Sequence, residues 1–592
     1  MAARIFKGAE YLVTESSKDD VFTPEDFSDE QRQIGQMTEQ FVLNEVMPLR
    51  EEIEHQQFQH VVKLMKKCGE LGLLMIDAPE EYGGLELDKA TSMLAAEKIS
   101  ASGSFSVAYS AHTGIGTLPL VYYGTEPQKE KYLGKLISGE WIAAYCLTEP
   151  DSGSDALGAK AYATLSEDGR YYLLNGTKQF TTNGAIADLY TLFAKVDKEQ
   201  FTAFLVERST EGLSVGPEEK KLGIKGSSTT QIILDNARVP VENVLGEIGK
   251  GHKIAFNVLN VGRFKLGAAV TGAAKNALEE GIRYANMRKQ FGRPIASFGA
   301  IKEKIADLTA EIYAAESLIY RLAGLIDDRL ATIPKETANY YDAYQRGIEE
   351  YAIECAIAKV FCSEVLADVV DEVVQIHGGY GFVQEYPAER FYRDERINRI
   401  FEGTNEINRM LIPGILLTRA MKGEIPLQRE AMKAFESLMT PSFEELDDSV
   451  PFAAEKALIA DLKQAFLVVA GTGAQKFREK IKEEQEVLLA IADVAINIFA
   501  VESCVLRAEK MLPKLSEAKK GTVVAAVKTF SYAAAEKTAN AARKAAYYIE
   551  EGDPLTMMLG GIRRFTKYDA TGLLQAKRAL ANAAIEAERY VF

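Results

Sequence analysis

IADLTAEIYAAESLIYR, Ile305 to Arg321, and IADVAINIFAVESCVLR, Ile491 to Arg507, align without a gap. Ile305, Ala306, Asp307, Ile312, Ala314, Glu316, Ser317 and Arg321 find identical residues at Ile491, Ala492, Asp493, Ile498, Ala500, Glu502, Ser503 and Arg507. A shared helical stripe would reproduce the apolar matches, because a bundle helix needs apolar residues three and four apart. It would not reproduce the Asp, the Glu-Ser pair or the Arg. Further on, AIAKVF (Ala356 to Phe361) is echoed by AAVKTF (Ala525 to Phe530). The chain therefore carries part of one helical bundle twice.

The helical period is interrupted once. From Ser28 to about Leu136 it is continuous, and Thr125 reads as the cap of TEPQKEKYLGKLISG. After Trp141, AYATLSEDGRYYLLNGTKQFTTNG reads as strand, turn at Ser166 to Gly169, and strand, followed by DLYTLFAKV, TAFLVER and TQIILDNARV. The helical stripe resumes after Gly251, with Ile301, Ile305, Leu308, Ile312, Ala315, Leu318, Leu322 and Leu325 on one face. The expected organisation is a polar lead-in over 1–25 and a helical domain over 26–144. A β domain follows over 145–250, then a helical bundle over 251–416 that ends near Ile415. An acidic connector over 417–452 leads to a partial copy of the bundle over 453–592.

A net charge of -16 and a pI near 5.2 exclude a nucleic-acid binder, whose phosphate contacts need clustered cations. Cys68, Cys146, Cys355, Cys362 and Cys504 are scattered and odd in number, which fits buried reduced thiols in a cytoplasmic protein. The five histidines have no metal-ligand spacing, so no metal is expected. No signal, transit or bilayer-length apolar segment is evident. The sequence lacks a G-x-G-x-x-G after a strand, a GxxxxGK[ST] loop and a G-x-S-x-G elbow, which removes Rossmann, Walker and serine-hydrolase readings.

What remains for chemistry centres on RINRIFEGTNEINRM, where Glu402 lies between Phe401 and Gly403. Apolar surroundings favour the neutral carboxyl and raise its pKa toward the range of a general base. Three further stretches offer donors or glycine turns: YCLTEPDSGSD at Tyr145 to Asp155, KQFTTNG at Lys178 to Gly184, and IHGGYGF at Ile376 to Phe382.

LTEPDSGSDA, KQFTTNG, MRKQFGRPI, QIHGGYGFVQEYPAER and YRDERINRIFEGTNEI resemble, in order and spacing, the signature segments of the flavin-dependent acyl-CoA dehydrogenases. The resemblance runs from about Phe22 to Ile415 and is greatest to the very-long-chain type, through GPEEKKLGIKGSSTT, VPVENVLGE, NVLNVGRF and FGAIKEK. It implies a mainly α fold with a middle β domain: an N-terminal helical domain, a β-barrel-like domain, a C-terminal bundle, and in this subgroup a second C-terminal helical domain. FAD is implied at the junction and near a subunit interface of a homodimer. By motif position Tyr145, Leu147, Thr148, Gly153, Ser154, Phe180, Thr181, Thr182, Thr404 and Glu406 would contact FAD. Arg288, Phe291, Gln375 and Gly379 would reach the neighbouring subunit's FAD. Ser154, Asn260, Arg263, Phe401 and Gly403 would line the acyl-CoA. Glu402 matches the catalytic base. Some relatives carry that base on an earlier helix, but NVLNVGR (Asn257 to Arg263) holds no carboxylate.

The implied reaction is α,β-dehydrogenation of fatty acyl-CoA to trans-2-enoyl-CoA in β-oxidation. Glu402 removes the α proton, a hydride passes from the β carbon to flavin N5, and electrons leave to an electron-transfer flavoprotein. Gly116 fits the small-residue pattern of a long acyl tunnel, whereas Pro119 stands where the subgroup has a second glycine. The acidic residues Glu436, Glu444, Glu445, Asp447 and Asp448 would repel anionic lipid, so membrane association is expected to be weak or absent. The alternatives are an acyl-CoA oxidase using O2 and an assembly or scaffold protein that keeps the fold.

Overall fold

The computed structural model describes residues 4–439, 447 and 449–592. Helices of the N-terminal part, including Lys89–Ile99, pack on a long helix, Gly251–Met287. That helix packs in turn against Gly299–Leu330 and Ala352–His377. Ala-rich and Gly-containing faces such as Ala268, Ala274, Ala277 and Ala358 let these helix axes approach closely and bury them all round. Thr125 caps Glu126–Ile137 in a reciprocal capping box with Gln128.

Among the described residues an eight-stranded sheet follows. Its order is Leu213–Val215, Thr229–Pro240, Tyr171–Thr182, Tyr162–Leu165, Leu189–Val196, Gln200–Glu207 and Val244–Leu245. Ala143–Cys146 branches off by pairing in parallel with Leu189–Val196. Most other pairs are antiparallel, as hairpin connections require. The sheet buries Cys146, Tyr172, Leu174, Tyr190, Leu192 and Phe204 in a core of its own. The bundle's last helix, Asn405–Met421, runs past the expected end at Ile415, and a further helix, Leu427–Met439, occupies part of the expected connector. Glu444, Glu445 and Asp448 lie outside the described residues.

The second module supplies Ala453–Phe477, Gln485–Met511, Glu517–Ile549, Gly552–Phe565 and Leu573–Ala587. Its repeat helix lies against the first repeat helix so that matched residues exchange contacts. Arg321 donates to Glu502 at 2.8 Å and to Ser503 at 3.2 Å. Arg507 donates to Glu316 at 2.6 Å and to Ser317 at 3.4 Å. Arg321 stacks 4.6 Å over Phe499 and Arg507 stacks 4.5 Å over Tyr313, again matched positions. Each glutamate also takes a lysine from the helix preceding it, Lys275 on Glu316 and Lys463 on Glu502. Asp307 is held by Lys577 at 2.9 Å and Asp493 by Arg409 at 2.7 Å, each cation coming from the last helix of the other copy. This reciprocity is what a local two-fold axis produces, here inside one chain. It explains why the polar residues of the repeat match. They are the contact between the copies.

The structure refines two expectations. Within the expected polar lead-in, Ala9, Tyr11 and Leu12 are buried, the Ala9 N–H donates to Glu354 at 2.6 Å and the Tyr11 hydroxyl donates to the Ala495 carbonyl at 3.0 Å. That segment threads between the bundle and the second module and buries its apolar side chains against both. Secondly, Ala453–Glu483 and Gln485–Lys514 are apolar and long enough to cross a bilayer by length and composition. Their most apolar windows are 67% and 89% buried within the fold, the signature of core helices.

Candidate active site

The turn that carries Glu402 is held in a conformation its residues do not favour. Glu402 has φ +58° and Gly403 has φ +81°, both left-handed. For a side chain with a Cβ, that region persists only where neighbours over-determine it. Three side chains do so. Arg263 Nε donates to the Glu402 carbonyl at 3.3 Å. Asn408 Nδ2 donates to the carbonyls of Glu402, Gly403 and Thr404 at 3.3, 2.8 and 3.1 Å. Lys359 Nζ donates to the Gly403 carbonyl at 2.7 Å and to Asn405 Oδ1 at 2.6 Å.

As a whole residue Glu402 is half-buried, yet its Oε2 is sealed from solvent and has no hydrogen-bond partner. Burial pushes the carboxyl up to about 7, against the opposing pull of Arg263 and Lys359. Such a group holds its proton more firmly than an ordinary carboxylate and has an unpartnered oxygen, two properties that suit a general base. Its space exists because residue 262 is glycine. A Cβ there would lie 2.5 Å from Glu402 Oε2 and 2.8 Å from its Cδ. Arg263 Nη1 also donates to Asn260 Oδ1 at 2.9 Å, and both residues are buried. Asn260, Arg263, Phe401, Glu402 and Gly403 thus come together.

The expected cofactor loop is braced by a buried pair that the sequence reading did not single out. Lys178 Nζ reaches Glu149 at 2.7 Å, and Glu149 accepts the Lys160 and Ala161 N–H groups at 2.6 and 3.1 Å. Lys178 also donates to the Leu147 carbonyl at 3.3 Å, and the Gln179 N–H donates to the Thr148 carbonyl at 2.8 Å. This leaves Gly153 and Ser154 exposed on a fixed backbone. Phe180, two residues before the end of the neighbouring strand, has φ +55° and 61% exposure. An aromatic ring held open in a strained backbone is a platform for a flat ligand. Thr181 differs from its neighbours: its hydroxyl is buried and donates to Cys146 Sγ at 3.7 Å, while Thr182 is half-buried. The Tyr145 hydroxyl lies 3.5 Å from the Ala255 carbonyl, and the ring packs edge-on to Phe193. Burial, with Glu402 nearby, raises that phenol well above its ordinary value. Thr404 caps Asn405–Met421, its Oγ1 accepting from the Ile407 N–H at 3.2 Å, and Glu406 is exposed on the first turn. A helix N-terminus of this kind suits a phosphate.

The remaining expected residues lie apart from this cluster. Arg288 stacks 5.4 Å from the Tyr380 ring, Phe291 is 93% exposed with φ +52°, and Gln375 and Gly379 are exposed. Gly116 has a packing role: a Cβ there would lie 2.8 Å from the Ala111 carbonyl and 2.9 Å from Ala143 Cβ.

Four family descriptions match in order: acyl-CoA dehydrogenase N-terminal domain over 28–140, middle domain over 144–237, and C-terminal domains over 249–416 and 461–564. A Bacillus subtilis (strain 168) protein named "Probable acyl-CoA dehydrogenase" is 49% identical over 589 residues, 100% of this chain and 99% of that one. The chain belongs to the acyl-CoA dehydrogenase family. The acyl-CoA dehydrogenase of Bacillus anthracis crystallised with FAD is 50% identical, covers 99% of this chain and 100% of that one, and superposes with a TM-score of 0.97. The very long-chain specific mitochondrial enzyme of Homo sapiens is 37% identical over 478 residues, 75% of this chain and 69% of that one. The protein is thus an FAD-dependent oxidoreductase of the acyl-CoA dehydrogenase fold with an additional helical domain. The open Phe180 ring, the braced Gly153-Ser154 loop and the capped helix at Thr404 fit that cofactor. In this acyl-CoA dehydrogenase, Gly262→Ala is expected to lower kcat on the order of a hundredfold by displacing the carboxylate. Flavin content should stay unchanged, which dye-coupled turnover and the flavin spectrum would measure together.

Proposed function

We propose that the chain catalyses α,β-dehydrogenation of fatty acyl-CoA thioesters to trans-2-enoyl-CoA in β-oxidation, with preference for long chains. The observation that carries this reading is the sealed, unpartnered Oε2 of Glu402 in a strained turn beside buried Arg263. Glu402 removes the α proton. Asn260, Arg263, Phe401 and Gly403 line the thioester end and exclude water, and the fixed turn keeps the base from swinging away. Ser154, Phe180, Thr182 and Thr404 would hold FAD, with Tyr145, Leu147, Thr148, Gly153, the Thr181 backbone and Glu406 around it. Bound FAD supplies the two-electron oxidant. Arg288, Phe291, Gln375 and Gly379 would serve a second subunit's site, which makes the working unit a homodimer with an electron-transfer flavoprotein as acceptor. A cytoplasmic setting is proposed with it, consistent with five buried free cysteines.

Long-chain preference is supported by the very long-chain specific relatives and by the second helical module matched at 461–564. Pro119, buried in Leu118–Tyr123, and the packing role of Gly116 argue for a pocket shaped differently from theirs. A substrate series from butyryl- to eicosanoyl-CoA, followed anaerobically with an electron-accepting dye, is expected to peak at palmitoyl-CoA or longer. A maximum at octanoyl-CoA or shorter would sink the preference. Stoichiometric peroxide in air without dye would convert the reading to an oxidase.

A further inference from the structure

The base assignment leaves one buried charge without an explanation. Lys359 is fully buried, and its two hydrogen-bond acceptors, the Gly403 carbonyl and Asn405 Oδ1, are both uncharged. A buried ammonium without a carboxylate contact is unfavourable relative to an apolar residue of similar volume. A lysine kept there on stability grounds alone would be a poor choice.

We propose that Lys359 is the positioning residue of the catalytic turn, its ammonium fixing Gly403 and Asn405 so that Glu402 stays in the left-handed conformation, and its charge favouring the ionised base. This rests on Glu402 being the base. The clamp is continuous: Asn405 Nδ2 donates onward to Ser363 Oγ at 3.1 Å and to Glu364 at 3.0 Å, so both ends of the turn are tied to the Ala352–His377 helix. The charged and titratable groups that act on Glu402 come from three elements. Arg263 comes from the long helix, Lys359 from Ala352–His377 and Tyr145 from the sheet. Lys359 itself is faced by Glu402, Arg263, Glu364 and Glu406. Burial drops the lysine to about 7, while Glu402 pulls the other way, and Lys359 in turn favours the ionised form of Glu402. The duplicated module supplies an internal contrast. Its matched lysine, Lys528 in AAVKTF, is only half-buried and lies 5.7 Å over the Tyr568 ring, in a copy that has no FEGT turn to hold.

Removing a cation beside a carboxylate disfavours the ionised form, so the carboxylate pKa must rise. The test is kcat/KM against pH for flavin-loaded wild type, Lys359→Gln and Lys359→Met, from about pH 6 to about pH 10. Lys359→Gln keeps amide donors but loses the charge. It should move the acid limb up by about one unit, costing about fivefold at pH 7 and recovering in alkali. Lys359→Met should move the limb equally and add a loss that alkali does not recover. An unmoved limb in Lys359→Gln overturns the proposal, even if Lys359→Met is less stable or fails to fold. Failure of the underlying base assignment looks different: the wild type would then lack an acid limb near neutrality, and Glu402→Gln would retain turnover.

Discussion

Glu402→Gln is expected to retain flavin colour and to lose acyl-CoA dehydrogenation by about a thousandfold or more. A missing general base typically costs this much when no other group can accept the proton. Among the described residues the groups beside Glu402 are poor substitutes: Arg263 is a cation, Lys359 Nζ is tied to the Gly403 carbonyl and Asn405, and position 262 is a glycine. The change is nearly isosteric, so the left-handed turn and its three clamps should survive. Turnover is read with palmitoyl-CoA and a dye, and cofactor occupancy from the flavin spectrum of the same sample. Residual activity within tenfold of wild type would remove Glu402 from its role.

Arg507→Met is expected to destabilise the protein by about 3–5 kcal/mol, the scale for breaking a buried ion pair from one side. Arg507 is buried, holds Glu316 and Glu25, and stacks on Tyr313. Burial alone would raise the Glu316 carboxyl, but Arg507 and Lys275 hold it well below the usual carboxylate range. With Arg507 gone the carboxylate keeps Lys275 and the Tyr590 hydroxyl but loses half its compensation. Because matched residues exchange contacts, Arg321→Met should act in the same direction through Glu502 and Ser503. Denaturant unfolding followed by fluorescence, with limited proteolysis of the C-terminal helices, measures both variants. A loss under 1 kcal/mol in each would mean that apolar packing alone holds the copies together.

Much of the site was legible because its chemistry travels in short ordered segments. FEGT, the LTEPDSGSD loop and KQFTTNG each carry their candidate residues within a few positions, so order along the chain was enough to nominate them. Lys359, Gly262, Asn408, Glu149 and Lys178 were missed as site residues. Lys359 left a trace as the lysine shared by AIAKVF and AAVKTF, but nothing local told a clamp from a surface charge. Gly262 left none, since a glycine in a helical stripe reads the same whether it faces a neighbour's backbone or a carboxylate. For Thr181 the motif named the residue but not its orientation: its hydroxyl is buried against Cys146, while Phe180 beside it is exposed.

By itself the sequence determined the helical segments, the inserted β domain and the duplication of the bundle, and it pointed to Glu402 as the candidate base. These follow from periodicity and motif order, which depend on residues three or four positions apart or on short loops. Only the tertiary structure decided how the copies meet, where the first residues thread, and what holds Glu402 in its strained turn. Those outcomes depend on the orientation of packed helices, which brings Arg507 to Glu316 and Lys359 to Gly403 across long stretches of chain. An apolar stripe says that a helix is buried; it does not say which charge will lie across from it.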